Sequence, residues 1–257
     1  MSGLHYQITG TGPLLLLLHP VGLDSRFWGA IPDALAQRNR VVTIDFRGHG
    51  KSPDAYRPGR METHVDDIVR LMGEFEAGPA AIVGISFGGM VAQNLACRRP
   101  DLVSALVLAA CPGVIPQTAR SAILKRGADA ESGGMKSVVD GTLSRWFTPD
   151  YLSTEAVADV RARLLADSPA NWAATWEAVS EHDALAELEA IRAPALLLAG
   201  ELDEATPLEA KRALAAAIPG SRLEILAGAP HMMQIECGAR LSASLSTFIG
   251  ELAEGER

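Results

Sequence analysis

Short apolar runs bounded by turn-forming residues recur along the chain at Leu14–Leu18, 41–44, Ala80–Ile85, Val103–Ala109, 195–199 and 223–226. Each has the length of a buried strand, and stretches with helical periodicity separate most of them, at 31–36, 65–75, 90–98 and Leu208–Ala217. This alternation predicts an α/β fold, a mainly parallel, doubly wound sheet with helices on both faces. The segment 4–8 is expected to add an antiparallel edge. Between about residues 112 and 191 the strand rhythm stops, and the sequence turns helical with loops at Gly133 and Gly134 and at Thr148 and Pro149. We therefore expect a core of residues 1–111 and 193–257 and a helical lid inserted over 112–192. An insertion that leaves the sheet where the strands end would cover the edge at which functional groups gather.

Composition narrows the class. With 257 residues, 48% of them hydrophobic, the chain can bury a full core as one domain or as one domain with an insertion. Its 23 Lys and Arg against 31 Asp and Glu give a net charge of -8, which argues against nucleic acid and anionic membrane as partners. The run Leu14–Leu18 has no basic segment before it and is too short to span a bilayer, so a cytoplasmic location is expected. Cys97, Cys111 and Cys237 are far apart and odd in number, against a disulfide framework and against CxxC metal spacing; they are expected to be buried small apolar residues. The acidic tail, 251–257, is expected to fray.

The candidate chemistry begins at Gly84, Ile85, Ser86, Phe87 and Gly88, a G-x-S-x-G motif between the apolar run Ala80–Ile85 and a helix-like stretch. A strand, a glycine-flanked serine and a helix in succession describe a nucleophile elbow, so Ser86 is the expected nucleophile. Glycine-rich strand-to-helix turns also serve helix packing or phosphate binding, and what favours catalysis is the presence of partners. A serine hydroxyl needs a base, and the base needs a group that fixes its tautomer. Asp203 stands in a loop after the run 195–199, with Glu201 and Glu204 as rivals, and His231 stands in a loop after 223–226. His5 precedes the sheet, His64 and His182 lie in helical context, and His19 is expected to brace its loop. The oxyanion formed in acyl transfer needs two donors: the backbone N–H of Phe87 and, because Pro20 has none, that of Val21. The segment from Asp45 to Ser52 is read as loop-shaping. The histidines are too scattered to bind a metal, no dinucleotide or phosphate-cradling glycine pattern is present, and no metal or cofactor is expected.

These pieces together resemble the α/β-hydrolase superfamily along nearly the whole chain: His19 to Gly22, Asp45 to Ser52, the elbow continuing through Gly89 and Met90, the Asp203 to Pro207 loop, and the order serine, acid, histidine. Within it the chain is most similar to the 3-oxoadipate enol-lactonases, through Gly133, Gly134, Met135, then Arg145, Trp146, Phe147, Thr148 and Pro149, and on to Asp183 and Leu188. It departs in the histidine segment, where Met232 and Met233 follow His231. The resemblance implies an α/β-hydrolase fold and hydrolysis of a small unsaturated lactone in aromatic-compound catabolism, through an acyl-enzyme on Ser86. A lactone carrying a carboxylate calls for a guanidinium, with Arg145 first and Arg126 next, and Trp146 would line the pocket. Alternatives are a broad-specificity carboxylesterase, a carbon–carbon bond hydrolase of a meta-cleavage type product, and a non-catalytic ligand-binding protein on the same fold. The expected partner is a small ester or lactone, and a homodimer is left open.

Overall fold

The computed structural model describes residues 3–75 and 78–255. The apolar runs become strands β1 (Tyr6–Thr9), β2 (Leu14–Leu18), β3 (Arg40–Ile44), β4 (Ala80–Ile85), β5 (Val103–Ala109), β6 (Ala195–Gly200) and β7 (Arg222–Leu226). They form one sheet in the order β1-β3-β2-β4-β5-β6-β7. β1 runs antiparallel to β3, with Tyr6 opposite Ile44, and every other pair is parallel. The expected edge strand is therefore present but starts at Tyr6, while Leu4 is buried ahead of it.

From β2 the sheet grows outward to β3 and then, on the other side, to β4. The loops that follow β2 and β4 therefore part at a topological switch point, where a crevice opens at the carboxyl ends of the strands.

Both faces of the sheet are covered, which is why the central strands read as continuous apolar runs. In β2, Leu14, Leu16 and Leu18 join one hydrophobic cluster, and Leu15 and Leu17 join the other. The first face carries α2 (Met61–Glu74) and α3 (Phe87–Arg98); the second carries α1 (Ile31–Leu35) and the C-terminal helix Gly238–Gly255. α2 starts ahead of the predicted 65 because Met61 and His64 extend its buried stripe of Val65, Ile68, Leu71 and Met72. β7, expected to be fully buried, is an outer strand with Arg222 and Ile225 exposed.

Between β5 and β6 lie α4 (Gln117–Gly133), α5 (Val139–Trp146), α6 (Glu155–Leu165) and α7 (Pro169–Ser180). Where this segment leaves the core and returns, its two ends are tied together: Ile115 N–H donates to the His182 carbonyl at 2.8 Å, and Ala184 N–H to the Gly113 carbonyl at 3.0 Å. His182, expected in a helix, sits just beyond the end of α7, in this tie. After β6 come α8 (Leu208–Ala217), the short α9 (Met233–Glu236) and α10 (Gly238–Gly255). The acidic tail is helical as far as Gly255, and Glu256 and Arg257 lie outside the described residues. All three cysteines are free; Cys111 and Cys237 are buried, but Cys97 is only half-buried.

The feature of the fold that matters most for the site is the turn from β4 into α3. Ser86 adopts φ 53° and ψ -114°, a region that a residue with a Cβ enters only under strain. A Cβ on Gly84 would strike the Gly88 carbonyl, and one on Gly88 would strike the Leu18 carbonyl of β2. The glycines therefore let the reversing chain pass its own helix and its neighbouring strand. Gly88→Ala is expected to lower stability by about 3 kcal/mol, since the obstacle is backbone within the sheet. The shift in urea midpoint at unchanged m-value measures this.

Candidate active site

The loops after β4, β6 and β7 bring Ser86, Asp203 and His231 into one hydrogen-bonded chain. Ser86 Oγ lies 3.0 Å from His231 Nε2, and His231 Nδ1 lies 3.0 Å from Asp203 Oδ1. All three are buried, His231 most deeply at 3% exposure. A carboxylate acceptor fixes the Nδ1–H tautomer and leaves Nε2 with a lone pair toward the hydroxyl, the state in which an imidazole can accept the hydroxyl proton. Asp203 also accepts from the N–H groups of Ala205 and Thr206, each at 3.0 Å, so its own loop wraps its inner oxygen. The outer oxygen, Oδ2, receives Lys211 Nζ at 2.6 Å. Burial by itself would raise the Asp203 carboxyl; the His231 imidazole and the Lys211 ammonium overrule it and hold it at about 2. The rival carboxylates take no part: Glu201 accepts from Gly228 N–H at 2.7 Å, and Glu204 faces solvent.

The two expected oxyanion donors flank the crevice. Phe87 is the first residue of α3 and Val21 follows Pro20 in the loop after β2; both are buried. Among the described residues neither N–H donates to another protein acceptor. The helix N-terminus adds a field that favours negative charge beside Ser86.

Four other histidines are buried, and their ring partners differ in kind from those of His231. His19 Nδ1 donates to the Pro20 carbonyl at 2.7 Å while Nε2 accepts from Phe46 N–H at 2.9 Å. Only a neutral ring can satisfy both. His182 Nδ1 likewise accepts from Asn94 at 3.2 Å and its Nε2 faces the Pro112 carbonyl at 3.3 Å. His49 and His64 pack edge and face against Phe46 and Phe87, beneath the elbow, and each keeps one ring nitrogen unpartnered. Burial pushes His19, His64 and His182 down to about 4 and His49 well below its ordinary value.

The segment from Asp45 to Ser52 shapes this floor. Asp45 accepts from the N–H groups of Ser25 at 2.8 Å and Lys51 at 2.9 Å, and Arg47 pairs with buried Asp67 at 2.8 Å.

The helices between β5 and β6 reach the site through Trp146, whose ring centroid lies 6.5 Å from that of His231 and whose carbonyl accepts from Met232 N–H at 3.1 Å. Thr148 N–H and hydroxyl both donate to Glu236, just beyond the histidine. Arg163 of α6 binds Asp24, beside the Val21 loop, at 2.9 Å. Arg145 adjoins Trp146 on α5, half-buried, and Arg126 of α4 lies with its guanidinium 4.5 Å from the Trp176 ring centroid. Among the described residues neither arginine is hydrogen-bonded to the three central side chains or paired with an acid. Burial lowers both, and repulsion from Arg145 adds to the lowering of Arg126 to about 10. Among the described residues no group of three His, Cys, Asp or Glu side chains could hold a metal. No described helix is long and apolar enough to cross a membrane.

Lys211 and Glu236 were not anticipated from the sequence. Lys211 left a trace: it occupies the apolar stripe of α8 with Leu214, where a solvated lysine would not be placed.

Known proteins resemble the chain along most of its length. The profile described as the alpha/beta hydrolase family matches residues 15–243. The chain is 27% identical to 3-oxoadipate enol-lactonase 2 of Acinetobacter baylyi over 226 residues, 87% of this chain and 84% of that one. It is 29% identical to the pimeloyl-[acyl-carrier protein] methyl ester esterase of Nitrosomonas europaea over 243 residues, 90% of this chain and 92% of the other. A crystal structure of the enol-lactonase from Burkholderia xenovorans matches with a TM-score of 0.90 and 31% identity, covering 96% of both chains.

The buried neutral histidines predict an acid-labile fold. Their folded values, about 4 for His19, His64 and His182, lie below the unfolded 6.5. Between those limits the unfolded chain binds more protons, so stability is full above about pH 6.5 and falls as pH drops toward 4. A loss of at least about 2 kcal/mol across that window is expected in denaturant titrations.

Proposed function

The chain belongs to the alpha/beta hydrolase family, and on that premise we propose that it hydrolyses a small carboxylic ester or lactone, with 3-oxoadipate enol-lactone as the preferred substrate. The observation that carries this reading is the unbroken chain from Ser86 hydroxyl to His231 to Asp203, beside two uncommitted amides. Similarity to relatives named enol-lactonases supports the choice of lactone.

In this mechanism Ser86 Oγ attacks the ring carbonyl carbon while its proton passes to His231 Nε2, and Asp203 stabilises the imidazolium. The N–H groups of Val21 and Phe87 receive the oxyanion. Collapse of the tetrahedral intermediate breaks the ring C–O bond, and the enolate leaves more readily than an alkoxide would. It takes the proton from His231 and converts to the ketone, which removes the internal nucleophile that could reclose the ring. Water, giving a proton to His231, then attacks the acyl carbon; the C–O bond to Ser86 breaks, the proton returns to Oγ, and the dicarboxylate product is released.

Residues 112–192 serve as a lid in this reading. Arg145 and Arg126, cations without acid partners, are suited to a substrate carboxylate, and Trp146 lines the pocket next to His231. A second reading, a carboxylesterase acting on simpler esters, is favoured by the relative named as a methyl ester esterase. The two readings part at the arginines, because a neutral ester has no use for them.

Ser86→Ala is expected to reduce kcat/KM at least about 10⁴-fold and to abolish labelling by a fluorophosphonate probe. Arg145→Ala is expected to raise KM about tenfold for a carboxylate-bearing enol-lactone and to leave a neutral aryl ester unaffected. Equal effects on the two substrates would reject the carboxylate-binding role.

A further inference from the structure

Lys211 is 2% exposed, on a helix whose other charged residues nearby, Glu209 and Arg212, face solvent. Its ammonium has two partners, Asp203 Oδ2 at 2.6 Å and the Thr206 carbonyl at 2.5 Å. Thr206 closes the same loop, with its N–H on Asp203 Oδ1 at 3.0 Å and its hydroxyl on the Ala110 carbonyl at 3.2 Å. The acid that holds His231 is thus itself held at both oxygens, by backbone and imidazole on one side and by a cation on the other. Burying a lysine this deeply has a desolvation cost, and a neutral residue in the apolar stripe of α8 would avoid it.

We propose that Lys211 is a positioning residue of the hydrolytic site, which fixes the free oxygen of Asp203 so that Oδ1 meets His231 and which lowers the proton affinity of the Asp203–His231 pair. The inference rests on the hydrolase reading and adds a residue to it.

The geometry gives the first role: with Oδ2 anchored, rotation of the carboxylate away from Nδ1 would break the contact with a buried cation. Electrostatics gives the second. A lone buried carboxylate would draw a proton onto the imidazole and keep it there, and an imidazolium cannot act as base for Ser86. A cation on the far oxygen offsets part of that pull, so the imidazole stays free to accept the serine proton at lower pH. A further titratable neighbour is Cys111, after β5, whose thiol is pushed up to about 12 by burial and stays neutral through the working range.

The test is the pH profile of Ser86 phosphonylation by a fluorophosphonate in the intact protein, for wild type and for Lys211→Gln, or Lys211→Met should the glutamine variant fail to fold. Labelling rates report only folded molecules, so the position of the acid limb does not depend on how much variant protein is folded. Removing the cation is expected to move that limb upward by about one pH unit, because the pair then binds its proton more tightly. A limb that stays at the wild-type pH overturns the proposal even if the rate has fallen, since that is how a merely structural lysine would behave. Absence of labelling in the wild type overturns the hydrolase reading and this inference with it.

Discussion

The site rests on one backbone constraint, the reversal of the chain at Ser86 between a buried strand and a helix. A serine at φ 53° is strained, and it is kept there by bonds on both sides: its N–H donates to the Ala109 carbonyl at 2.8 Å, and its carbonyl accepts from Met90 N–H at 3.1 Å. β4 lies between β2 and β5, so the strand cannot shift to relieve the turn without tearing two parallel ladders. The hydroxyl is consequently presented at the carboxyl edge of the sheet and at the start of α3, whose first N–H has no partner within the helix. The other parts of the site arrive at that edge because the loops after β2, β6 and β7 open on the same side of a parallel sheet.

Charge at this edge is sorted by partner rather than by residue type. His19 and His182 find backbone and amide groups that only a neutral ring can satisfy, whereas His231 lies between a carboxylate and a hydroxyl. Beside the elbow the aromatic and imidazole rings around Phe46 and Phe87 pack edge to face, with the Arg47–Asp67 ion pair next to them. At the triad the Asp203 carboxylate is kept ionised against burial by an imidazole and an ammonium.

The helices between β5 and β6 are bound to the same edge at Trp146, Thr148 and Arg163, so changes there reach the site directly. Relatives that carry the same fold are named for a lactone in one case and a methyl ester in the other. A shared frame of this kind does not by itself fix the substrate. Among the described residues Arg126 and Arg145 carry no ion pair with an acid.

Much of this was legible in the sequence because it depends on local pattern. Continuous apolar runs of strand length separated by helical periods can be stacked in few ways, and glycines around Ser86 announce a turn that only small neighbours permit. The order of Ser86, Asp203 and His231 along the chain, each after an apolar run, follows from the same pattern. What local pattern could not carry were properties that arise between distant segments. β7 looked like the buried strands, and only its place at the margin of the sheet left one face bare. Lys211 and Asp203 are eight residues apart, but their ion pair exists because α8 folds back over the loop after β6. The neutrality of the buried histidines was likewise decided by the groups that tertiary packing set against each ring, since an imidazole takes its charge from its surroundings.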